Sequence, residues 1–286
     1  MQVLVIGLGF VGTALCQHLA EHGHTVITVN RTDLESETHY QLDARCAELR
    51  RVFYNHRFDV VIHLAAEVIG VPPVEVDHDY AMTQNMSSLM NAYTMALECK
   101  VAKFIFASTT ATKGETLSAY AYSKLVGEKL LRITDQRIMR TTSVRFANLY
   151  GAGQSAACKH ESLINKVVRL ALGGNKITMY NGAAKRDYLY ITDAVQALAL
   201  IATTDDNKLV YEVGSGVLTS TLSAIQLIKA KAGMLDSEVL ATQGRPGDVA
   251  STSLDLTNLK ELYSHLGKKW VPIPLELGID KLLEAT

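Results

Sequence analysis

Residues 1–30, MQVLVIGLGFVGTALCQHLAEHGHTVITVN, constrain the fold more than any other stretch of the chain. Val3–Ile6 is an apolar, β-branched run of the length of a buried strand. Gly7-x-Gly9-x-x-Gly12 follows at once. A helical pattern with Val11, Leu15 and Leu19 on one face then runs to about Gly23. A second apolar run, Thr25–Val29, closes a βαβ unit. Strand before, helix after and second strand at the right distance separate this from a chance run of glycines. Gly7 permits the tight turn, Gly9 lets a pyrophosphate approach the backbone, and Gly12 lets helix and strand pack closely. The N–H groups of Phe10 and Val11 open the positive end of the helix dipole. Glycines kept for packing alone are the plainer alternative; the context favours a dinucleotide site.

The end of the second strand bears on which dinucleotide. An Asp or Glu there accepts from the ribose hydroxyls of NAD. This chain has Asn30-Arg31. No carboxylate repels a 2′-phosphate, and Arg31 can pair with one, which favours NADP(H). The alternative is NAD, with Asn30 on the ribose and Arg31 a solvated loop charge.

Bulk properties exclude several classes. The chain has 286 residues and a formal net charge of −1, so it carries no basic footprint for nucleic acid or an acidic membrane. The four cysteines, Cys16, Cys46, Cys99 and Cys158, are scattered without a CxxC pair, so no metal or disulfide framework is expected. Glycine interrupts the first apolar run within a few residues and no later run spans a bilayer, which predicts neither leader nor anchor and a cytoplasmic location.

Further along, Asp59–Ala66 (DVVIHLAA) and Lys103–Ala107 (KFIFA) read as buried strands, and Asp79–Lys100 as a long helix with an apolar face. Asp43 either meets an adenine amino group or caps a helix over Ala44–Val52. Strands alternating with helices predict an α/β fold: a Rossmann-type doubly wound parallel sheet whose ligands bind beyond the strand carboxyl ends. At that edge lies Ala107-Ser108-Thr109-Thr110, then Tyr120-Ala121-Tyr122-Ser123-Lys124 opening another helix. Tyr-x-x-x-Lys puts both side chains on one face, one turn apart. A neighbouring ammonium favours the phenolate and is expected to lower the pKa of Tyr120. A hydroxyl such as that of Thr109 can share the substrate oxygen. These are the parts for moving a proton at a carbinol or carbonyl while a nicotinamide exchanges hydride. Tyr122 falls on another face.

With these residues the chain resembles the extended short-chain dehydrogenase/reductases, in the branch of NAD(P)-dependent nucleotide-sugar epimerases, dehydratases and 4-ketoreductases. Besides the glycines, His63-Leu64-Ala65-Ala66 resembles the strand end beside the cofactor, Asn85 a helix Asn near the active site, and Tyr120 and Lys124 the catalytic pair, which the resemblance also places against the cofactor. The strand Phe104–Thr109 resembles the one carrying the catalytic hydroxyl, with Ala107 by the cofactor, Thr109 in the catalytic position and Ser108 the runner-up on substrate. Arg145-Phe146-Ala147-Asn148-Leu149-Tyr150-Gly151 resembles a segment that places Phe146 by the nicotinamide and Asn148 by the substrate diphosphate. Tyr180, in the strand Ile177–Tyr180, is either a base-stacking residue or a half-buried strand aromatic. Arg186, in Arg186-Asp187-Tyr188, and Arg245, in Arg245-Pro246-Gly247-Asp248, are similar to arginines that converge on the diphosphate.

The resemblance implies a dinucleotide-binding domain over 1–150 plus about 187–214, where Leu209–Gly214 returns as a strand. It also implies a smaller, interleaved C-terminal substrate-binding lobe over about 151–186 and 215–286, and a homodimer. Dehydratases of the family carry carboxylates just after the catalytic Thr, whereas Thr109 precedes Thr110 and Ala111, which disfavours dehydration. The epimerase-reductases that make GDP-fucose carry a Cys there; Cys158 and His160 lie elsewhere, with no assigned role. The remaining expectation is NADP(H)-dependent 4-keto reduction of a nucleotide-diphospho sugar, with an NAD-dependent 4-epimerase as the alternative. A non-catalytic NADP sensor on the same fold is a reading from another class, disfavoured because Thr109, Tyr120 and Lys124 are all kept.

Overall fold

The computed structural model describes residues 1–32, 34, 36–68, 78–114, 117–154, 160–234, 238–242, 251 and 253–286. Its elements run β1 (Gln2–Ile6), α1 (Phe10–Glu21), β2 (Thr25–Asn30), β3 (His39–Gln41), α2 (Leu49–Asn55), β4 (Val60–His63), α3 (His78–Glu98), β5 (Lys103–Thr109), α4 (Ala119–Arg132) and β6 (Arg140–Phe146). There follow β7 (Asn148–Tyr150), α5 (Leu163–Leu172), β8 (Ile177–Tyr180), β9 (Lys185–Tyr190), α6 (Ile191–Thr203), β10 (Val210–Val213), β11 (Leu218–Ser220), α7 (Thr221–Lys231), β12 (Val239–Thr242), α8 (Thr257–His265) and α9 (Leu275–Glu284). The chain divides into two units. One comprises 1–112, 118–145 and 195–211; the other comprises 113–117, 146–194 and 212–286.

The first unit is built on a seven-stranded sheet in the order β10-β6-β5-β4-β1-β2-β3. From β1 the chain proceeds outward through β2 and β3, then returns to β4 on the other side of β1. That reversal is the topological switch point, where such sheets bind ligands. Strands covered on both faces must be apolar throughout, and Val3 to Ile6 and Val60 to Ile62 are accordingly all buried. Register fixes the level of the site: Ile6 lies opposite both Val29 and His63, and His63 opposite Phe106. β1, β2 and β4 thus reach their carboxyl ends within one residue of each other, and β5 runs three residues further, to Thr109. The α1 helix buries Gly12, Leu15 and Leu19, while Val11 stays half-buried. Beneath the sheet, Leu4, Val29, Phe53, Val61, Leu89 and Phe104 share one apolar cluster.

Two local expectations are corrected. The helix expected over Ala44–Val52 begins only at Leu49. Asp43 therefore cannot be its cap; Glu48 occupies that position, without a side-chain hydrogen bond. The preceding residues form turns, tied by Cys46 N–H to the Asp43 carbonyl at 2.9 Å.

In the second unit, β7 pairs parallel with β9 and β9 antiparallel with β11, while β8 and β12 form a separate parallel pair. Ser162 and Ser220 cap α5 and α7 by accepting from the backbone N–H groups of Asn165 and Ser223. Gly278 in α9 makes room for the fully buried Tyr150, since a Cβ there would strike the phenol. No helix among the described residues is long and apolar enough to cross a membrane.

Candidate active site

The glycine turn has the geometry its spacing implies. Gly7 has φ +102°, and a Cβ on it would lie 2.6 Å from the Ala65 nitrogen. The backbones touch because the N–H groups of Leu64 and Ala65 both donate to the Ile6 carbonyl at 2.8 Å. A Cβ on Gly12 would collide with the Gly7 carbonyl oxygen. At Gly9 the situation is opposite: a Cβ would meet no atom within 4 Å. Gly9 also caps α1 without any side-chain hydrogen bond, and the first turn, from Phe10 and Val11, holds no carboxylate. An open cradle of free N–H groups at the positive end of a helix fits a pyrophosphate. Leu64, Ala65 and Ala66 are half-buried beside it.

At the ribose end, Asn30 Oδ1 accepts from the Leu8 N–H at 3.4 Å and so steadies the glycine loop. Arg31, expected to await a 2′-phosphate, instead has its Nη1 2.8 Å from the Glu67 carboxylate, although its side chain is 62% exposed. Motif reading passes over Glu67; its position directly after Leu64-Ala65-Ala66 is the available signal. Asp43 is claimed by Arg45, which donates to it from Nε at 2.8 Å, from Nη2, and from the backbone at 2.9 Å. These bonds hold the Asp43 carboxyl below the usual carboxylate range.

Tyr120 and Lys124 lie one turn apart on α4, whose N-cap Ser118 accepts from the Ala121 N–H at 3.2 Å. Lys124 is buried and its Nζ stands 5.8 Å from the Tyr120 ring centre. Tyr122, on another face, is exposed. The expected lowering of the phenol by the lysine is not what dominates. Burial pushes Tyr120 up to about 12 and Lys124 down to about 7, because each ionised form loses hydration. The buried phenol therefore gives up its proton less readily than a free tyrosine. Asn85 braces this turn of helix: its Nδ2 donates to Ser123 Oγ at 3.0 Å, and Ser123 donates to the Tyr120 carbonyl at 2.7 Å. The same Asn85 accepts from the Glu67 N–H at 2.7 Å.

Strand alternation sorts the two candidate hydroxyls on β5. Ala107 and Thr109 are half-buried, whereas Ser108 between them is buried. Thr109 Oγ1 accepts from the Ala111 N–H at 3.2 Å, which leaves its own proton to donate. Ser108 donates to Glu128 Oε1 at 2.5 Å. Glu128 is in turn held by Arg145, with Nε to Oε1 at 2.8 Å and Nη2 to Oε2 at 2.5 Å. The hydroxyl proton of Ser108 is therefore committed to Glu128. This triad, with Ser108 and Glu128 buried and Arg145 half-buried, is invisible to motif reading, because its members come from three separate elements. His63, also buried, bonds Ser88 Oγ at 2.9 Å, and burial drops its pKa to about 3, so it is neutral.

Within the second unit, Asn148 is exposed and lies opposite Tyr188 in the β7–β9 register. Strand periodicity then makes Arg186 its diagonal neighbour. Arg186 is half-buried and donates to the Lys185 carbonyl at 3.0 Å. Asp187, facing the other way, accepts from Ser215 and Gly216 and pins that loop. Phe146 is buried at the end of β6; Tyr180 is 38% exposed on β8, in a different sheet from Arg186. Arg245 and Cys158 lie outside the described residues; His160 is exposed. Among the described residues no group of three or more His, Cys, Asp or Glu stands where it could hold a metal ion.

Comparison with known proteins is decisive at this point: the NAD-dependent epimerase/dehydratase family profile matches residues 3–214. The chain belongs to that family. It is an enzyme of the extended short-chain dehydrogenase/reductase type. Among family proteins, dTDP-4-dehydro-6-deoxyglucose reductase of Escherichia coli is 24% identical over 98% of this chain and 95% of its own. The UDP-glucose 4-epimerase of Thermotoga maritima, solved with UDP-glucose, is 28% identical and superposes with a TM-score of 0.87 over 100% of this chain and 98% of its own. The UDP-glucose 4-epimerase of Thermus thermophilus, solved with NAD, is 26% identical with a TM-score of 0.85 over 100% of both chains. Family members of this kind are built to hold a nicotinamide dinucleotide, and the Gly9 cradle fits one.

Proposed function

We propose that this family member interconverts epimers at C4 of a nucleotide-diphospho sugar, retaining NAD between turnovers. Bound NAD(P) would supply the chemistry of taking hydride from, or giving it to, the sugar carbon. Gly7, Gly9, Phe10, Val11 and Gly12 would hold its pyrophosphate, with Asn30, Leu64, Ala65, Ala66, Ala107 and Phe146 along its length and Asp43 toward the adenine. Tyr120 takes the proton from the C4 hydroxyl as the carbonyl forms and gives it back as the carbonyl is reduced. Lys124, when charged, favours the phenolate needed for the first half. Thr109 donates to the same oxygen and keeps it in place. Arg186, Arg245 and Asn148 are the diphosphate ligands of this reading, and Tyr180 stacks on the base.

The observation that carries the choice of epimerisation is the Arg31–Glu67 ion pair. A carboxylate beside Arg31 opposes a 2′-phosphate, which supports NAD and a retained cofactor. The likeness to UDP-glucose 4-epimerases solved with UDP-glucose and with NAD supports the same reading. A second reading, NADPH-dependent 4-keto reduction, is favoured by the high pKa of Tyr120, which suits a proton donor, and by the lack of a carboxylate at the end of β2. The test is to assay purified protein with UDP-glucose and UDP-galactose without added cofactor, and separately with NADPH and dTDP-4-keto-6-deoxyglucose. Interconversion with copurified NAD⁺ supports the epimerase; NADPH consumption with net reduction replaces it by the second reading. The proposal includes a homodimer, for which exposed Tyr80 and Met90 on α3 and Tyr122 on α4 offer apolar surface, and a cytoplasmic setting consistent with scattered thiols.

A further inference from the structure

We propose that Phe106 is a positioning residue that keeps Lys124 charged, its ring face serving beneath the ammonium where a buried lysine ordinarily has a carboxylate. Its functional sense rests on the reading above, in which Lys124 assists Tyr120. Lys124 Nζ lies 4.5 Å from the centre of the Phe106 ring, closer than to the ring of Tyr120. Both residues are 2% exposed. Among the described residues the ammonium has no salt-bridging carboxylate; Glu128, one turn on, is committed to Ser108 and Arg145. A lysine this deep either loses its proton or finds a source of negative potential. The face of an aromatic ring is such a source, and it acts most strongly when water is excluded.

Space for the ring is made by a specific residue. A Cβ on Gly127 would lie 2.7 Å from Phe106 Cε1 and Cζ, and 2.8 Å from Leu89 Cδ2. Any other residue at 127 would drive the ring out from under α4. Register adds a second constraint, because Phe106 stands opposite His63, at the level where the sheet meets the site. The titratable groups around Lys124 do not substitute for the ring. His63 from β4 is neutral, Tyr120 on α4 holds its proton, and α3 contributes only the uncharged Asn85 and Ser88 at this depth. Burial alone takes Lys124 down to about 7, and the ring face works against that loss.

The test replaces Phe106 with 4-fluoro-, 3,5-difluoro- and 3,4,5-trifluorophenylalanine in the full chain. These rings keep the shape and progressively remove the negative potential of the face. The titration of Lys124 is read by NMR of lysine labelled with carbon-13 at Cε, assigned by the signal missing from Lys124→Arg. The midpoint should fall stepwise with fluorine content, by about one pH unit across the series. Phe106→Tyr should stay near wild type and Phe106→Leu should fall as far as the trifluoro variant. A midpoint indifferent to fluorination overturns the proposal, since packing is unchanged. The readout needs no substrate, so it is separable from the catalytic reading, which fails instead if Tyr120→Phe turns over normally.

Discussion

Arg31 and Glu67 form an ion pair, guanidinium to carboxylate at 2.8 Å, just past the carboxyl end of β2. A surface pair of this kind contributes only about 0–1 kcal/mol to stability. In the function proposed above its consequence is for selectivity, because it would set one carboxylate against a 2′-phosphate and occupy the cation expected to welcome it.

Glu67→Gln should therefore raise affinity for NADPH relative to NADH by about 10-fold, the order of one charge-assisted bond to phosphate. Arg31→Ala should change NADH affinity less than about 3-fold. Fluorescence titration with both nucleotides measures each. An unchanged NADPH/NADH ratio in Glu67→Gln sinks this account of selectivity.

Tyr120→Phe should lower kcat by about 10²–10⁴-fold, the range for loss of a positioned acid–base group, and leave cofactor affinity near wild type. The assay is turnover of whichever nucleotide sugar the substrate assay above shows to be converted, alongside the same nucleotide titration.

Lys124 has a folded-state pKa of about 7 against 10.5 for an unperturbed lysine. Between those values the unfolded chain binds a proton that the folded chain does not. Its contribution to stability is therefore present above the unfolded value and is lost as pH falls through about 7. Lys103 behaves alike with a folded value of about 8, but its Nζ donates to the carbonyls of Ile201 and Thr204 at the end of α6. Lys124→Met should accordingly raise Tm by about 3–6 °C at pH 7 and abolish turnover, whereas Lys103→Met forfeits two hydrogen bonds and lowers Tm. Thermal melts from pH 6.5 to about 10 decide it: a Tm difference between wild type and Lys124→Met that does not shrink with rising pH contradicts the assignment.

The Ser108–Glu128–Arg145 triad predicts unequal mutational costs. Arg145→Ala leaves a buried carboxylate unpaired and should cost about 3–5 kcal/mol in urea unfolding. Ser108→Ala removes one hydrogen bond and should cost about 1–2 kcal/mol while leaving KM unchanged. A raised KM with intact stability in Ser108→Ala would return that hydroxyl to the substrate.

Much of the fold was legible because its signals are local. The β-branched runs at Val3–Ile6 and Val60–His63, the glycines between β1 and α1, and the Tyr120–Lys124 spacing on α4 each act within a few residues. The start of α2 departs from expectation because Asp43, a good cap by type, prefers its near neighbour Arg45; a bidentate bond over two residues outcompetes helix initiation.

Sequence by itself determined the βαβ start, the doubly wound sheet and the Tyr120–Lys124 face, since periodicity and backbone permissiveness are properties of short segments. Tertiary structure alone decided that Arg31 meets Glu67, that Ser108 serves Glu128 while Thr109 stays half-buried, and that Phe106 lies beneath Lys124. Those outcomes depend on charges and rings brought together from distant elements. Their electrostatics also depend on burial: the same lysine that favours a phenolate when charged is pushed by desolvation toward losing its proton. Spacing along the chain carries no information about how much water remains.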